Sequence, residues 1–423
     1  MFSSVKKLHS NVFLFLYGGI NLLAIALVNR MSDLPVLLGN WEAKASAMAH
    51  LRFPGDNFYP PGSSILLIPF LWTKPHYEIA VFFYFTFASL IYFMICQKVI
   101  KDGLLRVVAL AALTCNPYLL WTCNSGQDTV FELFLLLSFG ALLLKKRVGL
   151  SLFPLYLLCL TRPAYWALLL TFPLLVVINA KKNRGNKPQI RFALIPFVAL
   201  LITMGLNVVA FGAPNLAAES GLTAHFSHNK YYYLSMPKFD MDVFLSKGGN
   251  MDPAIVLDGS QKFKSVKDVE LRSALVSIVD NPKSFFLNTV QKIDSYFFAV
   301  QKTPQLPGSY YLSKDQKSIV IESERLSWVL LFGNAAYFIY RSLLLISGIV
   351  AITIFFVELR RRRLSLERYL GFFLLPFLAG AVPGIVYYTE SRFKIVSELL
   401  LVPLIVAIFD TYRRSKNELK ETI

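Results

Sequence analysis

Long apolar stretches alternate with short polar ones along most of the 423-residue chain. A helix takes roughly 20 apolar residues to cross about 30 Å of hydrocarbon. Stretches of this kind lie near residues 11–29, 78–96, 105–122, 129–144, 148–160, 164–180, 192–211, 336–357, 368–388 and 393–411. They predict an all-α polytopic membrane protein with about ten transmembrane helices. The alternation that would mark a membrane β-barrel is absent. Residues 148–160 are short for a span and run into Thr161-Arg162-Pro163. Residues 63–72 are apolar but too short to cross, and predict an interfacial or re-entrant helix.

Charge orients this pattern. Lys and Arg collect in short clusters beside the apolar stretches: Lys6 and Lys7; Lys98, Lys101 and Arg106; residues 145–147; residues 181–191; Arg360 to Arg363; and Arg413, Arg414 and Lys416. Such clusters favour the cytoplasmic side. With ten crossings, every cluster falls on that side and both termini are cytoplasmic. The first stretch ends in ValAsnArgMet without a small-residue cleavage site, so it predicts a retained signal anchor. Three modules follow. Residues 1–211 form an N-terminal transmembrane module with a first outer loop at 30–77. Residues 212–335 form a long outer loop between the seventh and eighth spans, and 336–423 hold the last spans and a cytoplasmic tail. A loop of about 120 residues is too long for a connector, so it should carry structure of its own, of mixed kind. Residues 269–279 and 284–298 in it have helical apolar spacing.

Composition narrows the class. The chain is 55% hydrophobic and only 16% charged, which excludes an ordinary soluble domain. Its net charge of +17 would by itself suggest nucleic acid. However, residues 213–326 hold 13 Lys/Arg against 12 Asp/Glu, so the excess sits at the membrane flanks and no nucleic-acid partner is expected. The four cysteines, Cys96, Cys115, Cys123 and Cys159, lie in or beside apolar stretches. They form no disulfide framework and have no metal-site spacing.

Candidate chemistry sits at the predicted outer edge. The first outer loop carries Asp33, Glu42 and Asp56, and residues 39–51 read as a helix bearing Glu42. A carboxylate above a membrane-edge cavity suits the removal of a proton from a hydroxyl. A solvated loop acid is the plain alternative. Asp128 is placed to cap the fourth span, and Glu132, one turn deeper, should face a cavity rather than lipid. His225 and His228 lack a third ligand at convincing spacing, so no metal site follows. Tyr231 to Tyr233 suit stacking on a sugar or the core of the loop equally well.

Several motifs, taken in order, resemble the GT-C superfamily of membrane glycosyltransferases. These are the acidic helix after the first span, Tyr59-Pro60-Pro61-Gly62, Asn116-Pro117, Thr161-Arg162-Pro163, the phrase at 280–298, and Glu390-Ser391-Arg392-Phe393. The chain looks most like the branch of protein O-mannosyltransferases and aminoarabinose transferases. The resemblance implies a GT-C architecture and transfer of a sugar from a polyprenyl-phosphate donor, undecaprenyl phosphate in a bacterium. The acceptor it implies is a cell-envelope glycan or glycolipid, with lipopolysaccharide O-antigen the leading case. The setting is a bacterial inner membrane with a periplasmic active site.

The resemblance also assigns roles. Glu42 lies nearest the family's acid and is the expected base, with Asp33 next. Arg392, Lys394 and Arg162 are expected to hold the donor phosphate, with Glu390 steadying Arg392. A snorkelling Arg with a local Glu partner is the plain alternative there. Asp56, Tyr59 and Asp128 are expected to contact substrate. Members often show paired acids in the first outer loop, whereas this chain reads Asn40-Trp41-Glu42. A tightly bound metal therefore does not follow, and no cofactor is certain, although a divalent cation is compatible. The rival readings are an O-antigen polymerase or ligase, and a transporter of lipid-linked sugar.

Overall fold

The computed structural model describes residues 2–32, 41–52, 61–124, 128–145, 147–162, 165, 168–169, 187–212, 276, 278–280, 282–297, 310–312, 319–321, 324–360 and 391–422. These are helical apart from connecting turns and one short hairpin. The helices are α1 (Phe2–Ser32), α2 (Trp41–Ala49), α3 (Gly62–Leu67), α4 (His76–Val99), α5 (Gly103–Thr114) and α6 (Pro117–Asn124). There follow α7 (Thr129–Leu144), α8 (Val148–Thr161), α9 (Lys187–Phe211), α10 (Pro282–Phe297), α11 (Glu324–Arg360) and α12 (Ser391–Thr422). Strands β1 (Tyr310–Leu312) and β2 (Ile319–Ile321) pair antiparallel, with Tyr311 opposite Val320.

Among the described residues, four helical segments are long and apolar enough to cross a membrane: Asn11–Arg30, His76–Val99, Phe338–Glu358 and Ile395–Asn417. At about 1.5 Å per residue each reaches roughly 30 Å or more. Shorter apolar helices accompany them at Gly103–Thr114, Thr129–Leu144, Val148–Thr161 and Leu194–Ala210. The protein is an α-helical membrane protein. Its surface agrees: Phe15 on α1 is 73% exposed and Val209 on α9 is 82% exposed. In water such faces would drive association, whereas lipid tails solvate them. The predicted spans at 164–180 and 368–388 lie almost wholly outside the described residues.

Two boundaries differ from the sequence reading. The stretch 105–122 is two helices, because the chain breaks at Cys115 and Asn116. Pro117 has no N–H to continue the first helix. Asn116 restarts the chain by accepting the Leu119 N–H on its Oδ1 at 3.0 Å. At the other boundary, α11 begins at Glu324 and runs through residue 336, where the last module was expected to start. The stretch 63–72 forms α3 and a 3-10 turn, Ile68–Phe70, too short to cross.

The core centres on α4, which packs against α1 and α7; α8 lies against α7, and α9 against α8. Buried tyrosines reach neighbouring backbones: Tyr92 donates to the Ala109 carbonyl at 3.0 Å and Tyr84 to Leu66 at 2.9 Å. One end of the bundle is basic. There Lys98 Nζ donates to the Leu144 carbonyl at 2.8 Å, and Arg413 pairs with Asp102 at 2.9 Å. The basic clusters around Lys98, Lys145 and Arg413, far apart in sequence, thus share one end.

Candidate functional site

The opposite end is built around a buried cluster of charge. Asp128 stands before α7, and Glu132 follows in its first turn, on the same face. Arg162 ends α8, where its N–H donates to the Leu158 carbonyl at 2.7 Å before the chain turns extended. Its Nε and Nη2 grip the two oxygens of Asp128, each at 2.8 Å. Its Nη1 pairs with Glu132 Oε2 at 2.8 Å. The Tyr165 hydroxyl donates to Glu132 Oε1. The Glu132 side chain is wholly buried and that of Arg162 is 8% exposed. Burial opposes the guanidinium charge, but Asp128 and Glu132 outweigh it and leave the Arg162 pKa raised.

The chain between α1 and α4 is fastened to this corner at two described points. At one, a Cβ built on Gly62 would fall on the backbone of Thr161 and Leu160. Only glycine allows α3 to lie this close to the end of α8. At the other, Trp41 of α2 is buried against Tyr77 and Phe131, with ring centroids 6.3 and 6.4 Å away. Phe131 immediately precedes Glu132, so α2 docks on the turn that carries the buried acid. Glu42 is the residue after Trp41 and is exposed, whereas Lys44 and Ala45 are buried.

The structure places the predicted residues as follows. Glu42, Asp128 and Arg162 come to one end of the bundle. Asp128 occupies the N-cap position of α7, but its carboxylate makes no capping bond and holds Arg162 instead. Arg162 is engaged by two carboxylates, so an anion reaching it would have to displace one. Arg392 and Lys394 fall in the first turn of α12. That helix is held at the basic end by Asp410, so its start lies roughly 28 Å away, at the end bearing Arg162. Asp33, Asp56, Tyr59 and Glu390 lie outside the described residues, as do the side chains of Arg392 and Lys394. His225, His228 and Tyr231 to Tyr233 also lie outside them. Among the described residues no three His, Cys, Asp or Glu side chains gather as a metal ion requires.

Some residues escaped the sequence reading. Tyr165 and Lys44 were not singled out, and neither was Arg341. Arg341 of α11 pairs with Glu398 of α12 at 3.2 Å, with the two side chains 10% and 4% exposed. The available signal was an Arg and a Glu each a few residues inside an apolar span, where a lone charge is costly and a partner is expected.

The chain matches no protein-family model, no curated protein and no solved structure.

Proposed function

We propose that the protein is an integral-membrane glycosyltransferase of GT-C architecture, with about ten crossings and both termini cytoplasmic. Its donor is a polyprenyl-phosphate sugar, undecaprenyl phosphate in a bacterial inner membrane. Its acceptor is a cell-envelope glycan such as lipopolysaccharide O-antigen, met on the periplasmic face. One observation carries the reading. Motifs separated by about 100 residues meet at one corner: Gly62 of Tyr-Pro-Pro-Gly lies on Thr161 of Thr-Arg-Pro, and Trp41 docks the acidic helix beside them. That corner lies at the end of the bundle away from the basic clusters.

The reaction is a single displacement. The acceptor oxygen bonds to the anomeric carbon as the bond from that carbon to the phosphate oxygen breaks. The bonding pair leaves with the lipid phosphate, and the acceptor proton passes to Glu42, or to Asp33. Arg392 and Lys394, at a helix N-terminus, offer positive charge to the departing phosphate. Arg162 fits the positioning of this corner better than direct phosphate contact, because Asp128 and Glu132 already hold it.

One observation favours the transporter reading instead. The break at Asn116 divides an apolar stretch into two helices, and discontinuous helices often line transport sites. A single experiment separates the two. Purified protein in detergent is given a labelled polyprenyl-phosphate hexose and an O-antigen acceptor, and release of lipid phosphate is followed. Glu42→Gln is expected to lower turnover by at least about 100-fold while donor still binds. Arg392→Ala is expected to weaken donor binding. Wild-type turnover in both variants, with Asp33→Asn also silent, would remove this site assignment. Movement of lipid-linked sugar across liposomes without turnover would replace the enzyme reading with the transporter.

A further inference from the structure

Helix α10, in the long loop, buries and exposes the wrong residues for a helix standing in water. On one face Asn288 and Lys292, one turn apart, are both wholly buried. Burial pushes the Lys292 ammonium down to about 7. On the opposite face Phe286 is 66% exposed, and Leu287, Val290 and Ile293 are also exposed. At about 100° per residue, Phe286, Val290 and Ile293 form one stripe, with Leu287 at its flank. Exposure of apolar side chains continues upstream at Val276 and Val279. A water-facing helix puts its polar stripe outward and its apolar stripe inward. The candidate spans α1 and α11 share this pattern: each buries polar side chains, Asn21 on α1 and Arg341 and Glu358 on α11, and exposes large apolar ones. Lys283, exposed one turn before Leu287, adds a cation beside the apolar stripe. A cation flanking an apolar stripe suits the phosphates of anionic headgroups.

We infer that α10 lies in the surface of the bilayer, with Phe286, Val290 and Ile293 in the boundary between acyl chains and headgroups and Lys283 among the headgroup phosphates. The described helix of the long loop is then attached to the membrane rather than standing free in water. This inference does not depend on the glycosyltransferase reading.

The test uses the full chain with its four cysteines replaced. Single cysteines at Phe286, Val290 and Ile293 carry a spin label, and a label at the exposed Asn417 is the aqueous control. The protein is reconstituted in vesicles of phosphatidylethanolamine and phosphatidylglycerol. Collision rates are measured with oxygen, which concentrates in lipid, and with a neutral nickel chelate, which stays in water. At the three stripe positions oxygen collisions are expected to exceed nickel collisions, with the order reversed at Asn417. Nickel collisions as frequent at Val290 as at Asn417 would place the stripe in water and overturn the inference. Dipolar broadening between labels, with both reagents excluded, would show a protein partner such as a second copy, and would overturn it equally. A thermal midpoint of each labelled protein close to that of the unlabelled parent shows that the fold persists.

Discussion

At the scale of single residues, the cluster of Arg162, Asp128 and Glu132 has an asymmetric energetic consequence. A buried ion pair adds little net stability over a well-packed apolar group, because both ions lose their hydration. Removing one partner is another matter, since the remaining charge stays buried without an opposite charge. Glu132 is wholly buried, so Arg162→Met should destabilise the protein by about 3–5 kcal/mol. Removing both charges with Arg162→Met and Glu132→Leu should recover most of that loss. Asp128 is 20% exposed and can turn to water, so it need not be changed. Thermal midpoints in detergent at one heating rate check this. A double variant as unstable as the sum of the single ones would show that the two charges do not depend on each other. Tyr165 belongs to the same unit, and Tyr165→Phe should cost about 1 kcal/mol by removing the hydroxyl that donates to Glu132.

At the scale of elements, the close approach of α3 to α8 turns on Gly62. A methyl group there meets the backbone of Thr161 and Leu160 as well as the Thr161 hydroxyl, so moving a side chain cannot make room and a helix must shift. Gly62→Ala should therefore lower stability by about 1–3 kcal/mol. Under the proposed transferase reading it should also cut turnover more than that loss explains, because α3 lies directly on the end of α8 that carries Arg162. Activity measured well below the thermal midpoint separates the two effects. Unchanged activity and midpoint would mean that the two helices do not meet this closely. This contact also shows what the sequence reveals and what it conceals. The helices themselves were legible: α4, α7, α8 and α9 follow from their apolar runs, and α2 from the spacing around Glu42. The break at Asn116 was less so, because the apolar pattern runs on through it and only the Asn-Pro pair marks it. The contact of Gly62 with Thr161 had no sequence signal, since a glycine needed for close approach looks the same as one needed for a turn. The pairing of Arg162 was concealed in the same way. Its position at a span edge was plain, but the choice between phosphate and carboxylate partners depends on where α7 begins in space.

At the scale of the whole molecule, the basic end ties the last helix to the middle of the chain. Asp410 of α12 is almost wholly buried and accepts the Lys101 N–H on Oδ2 at 2.8 Å. Arg414 reaches the same oxygen at 3.2 Å, and Arg413 pairs with Asp102. Asp102 also caps α5 by accepting the Leu105 N–H at 3.0 Å. One short loop thus starts α5 and anchors α12, so the loop couples the N-terminal module to the last span. The Asp102 carboxyl is held below its ordinary value, first by the Leu105 N–H and further by Arg413 and Arg106, which outweigh a smaller opposing effect of burial. The unfolded chain therefore binds this proton more readily than the folded one. The stability it contributes is complete above the ordinary carboxylate range, near pH 4, and is lost as pH falls through the lower folded value. Asp102→Asn keeps an acceptor for Leu105 but has no charge to lose. Relative to wild type it should lower the thermal midpoint at pH 7, and the gap should close as the pH is brought below about 4. A gap that persists unchanged in acid would assign the effect to shape at the cap. A gap that closes assigns it to the charge that joins α5 to α12. Loss of that joint should also loosen α12 as a unit. Amide exchange around Asp410 should then rise in the Asp102→Asn protein at pH 7, while exchange in α7 and α8, fastened at the other end by Arg162, stays as in wild type.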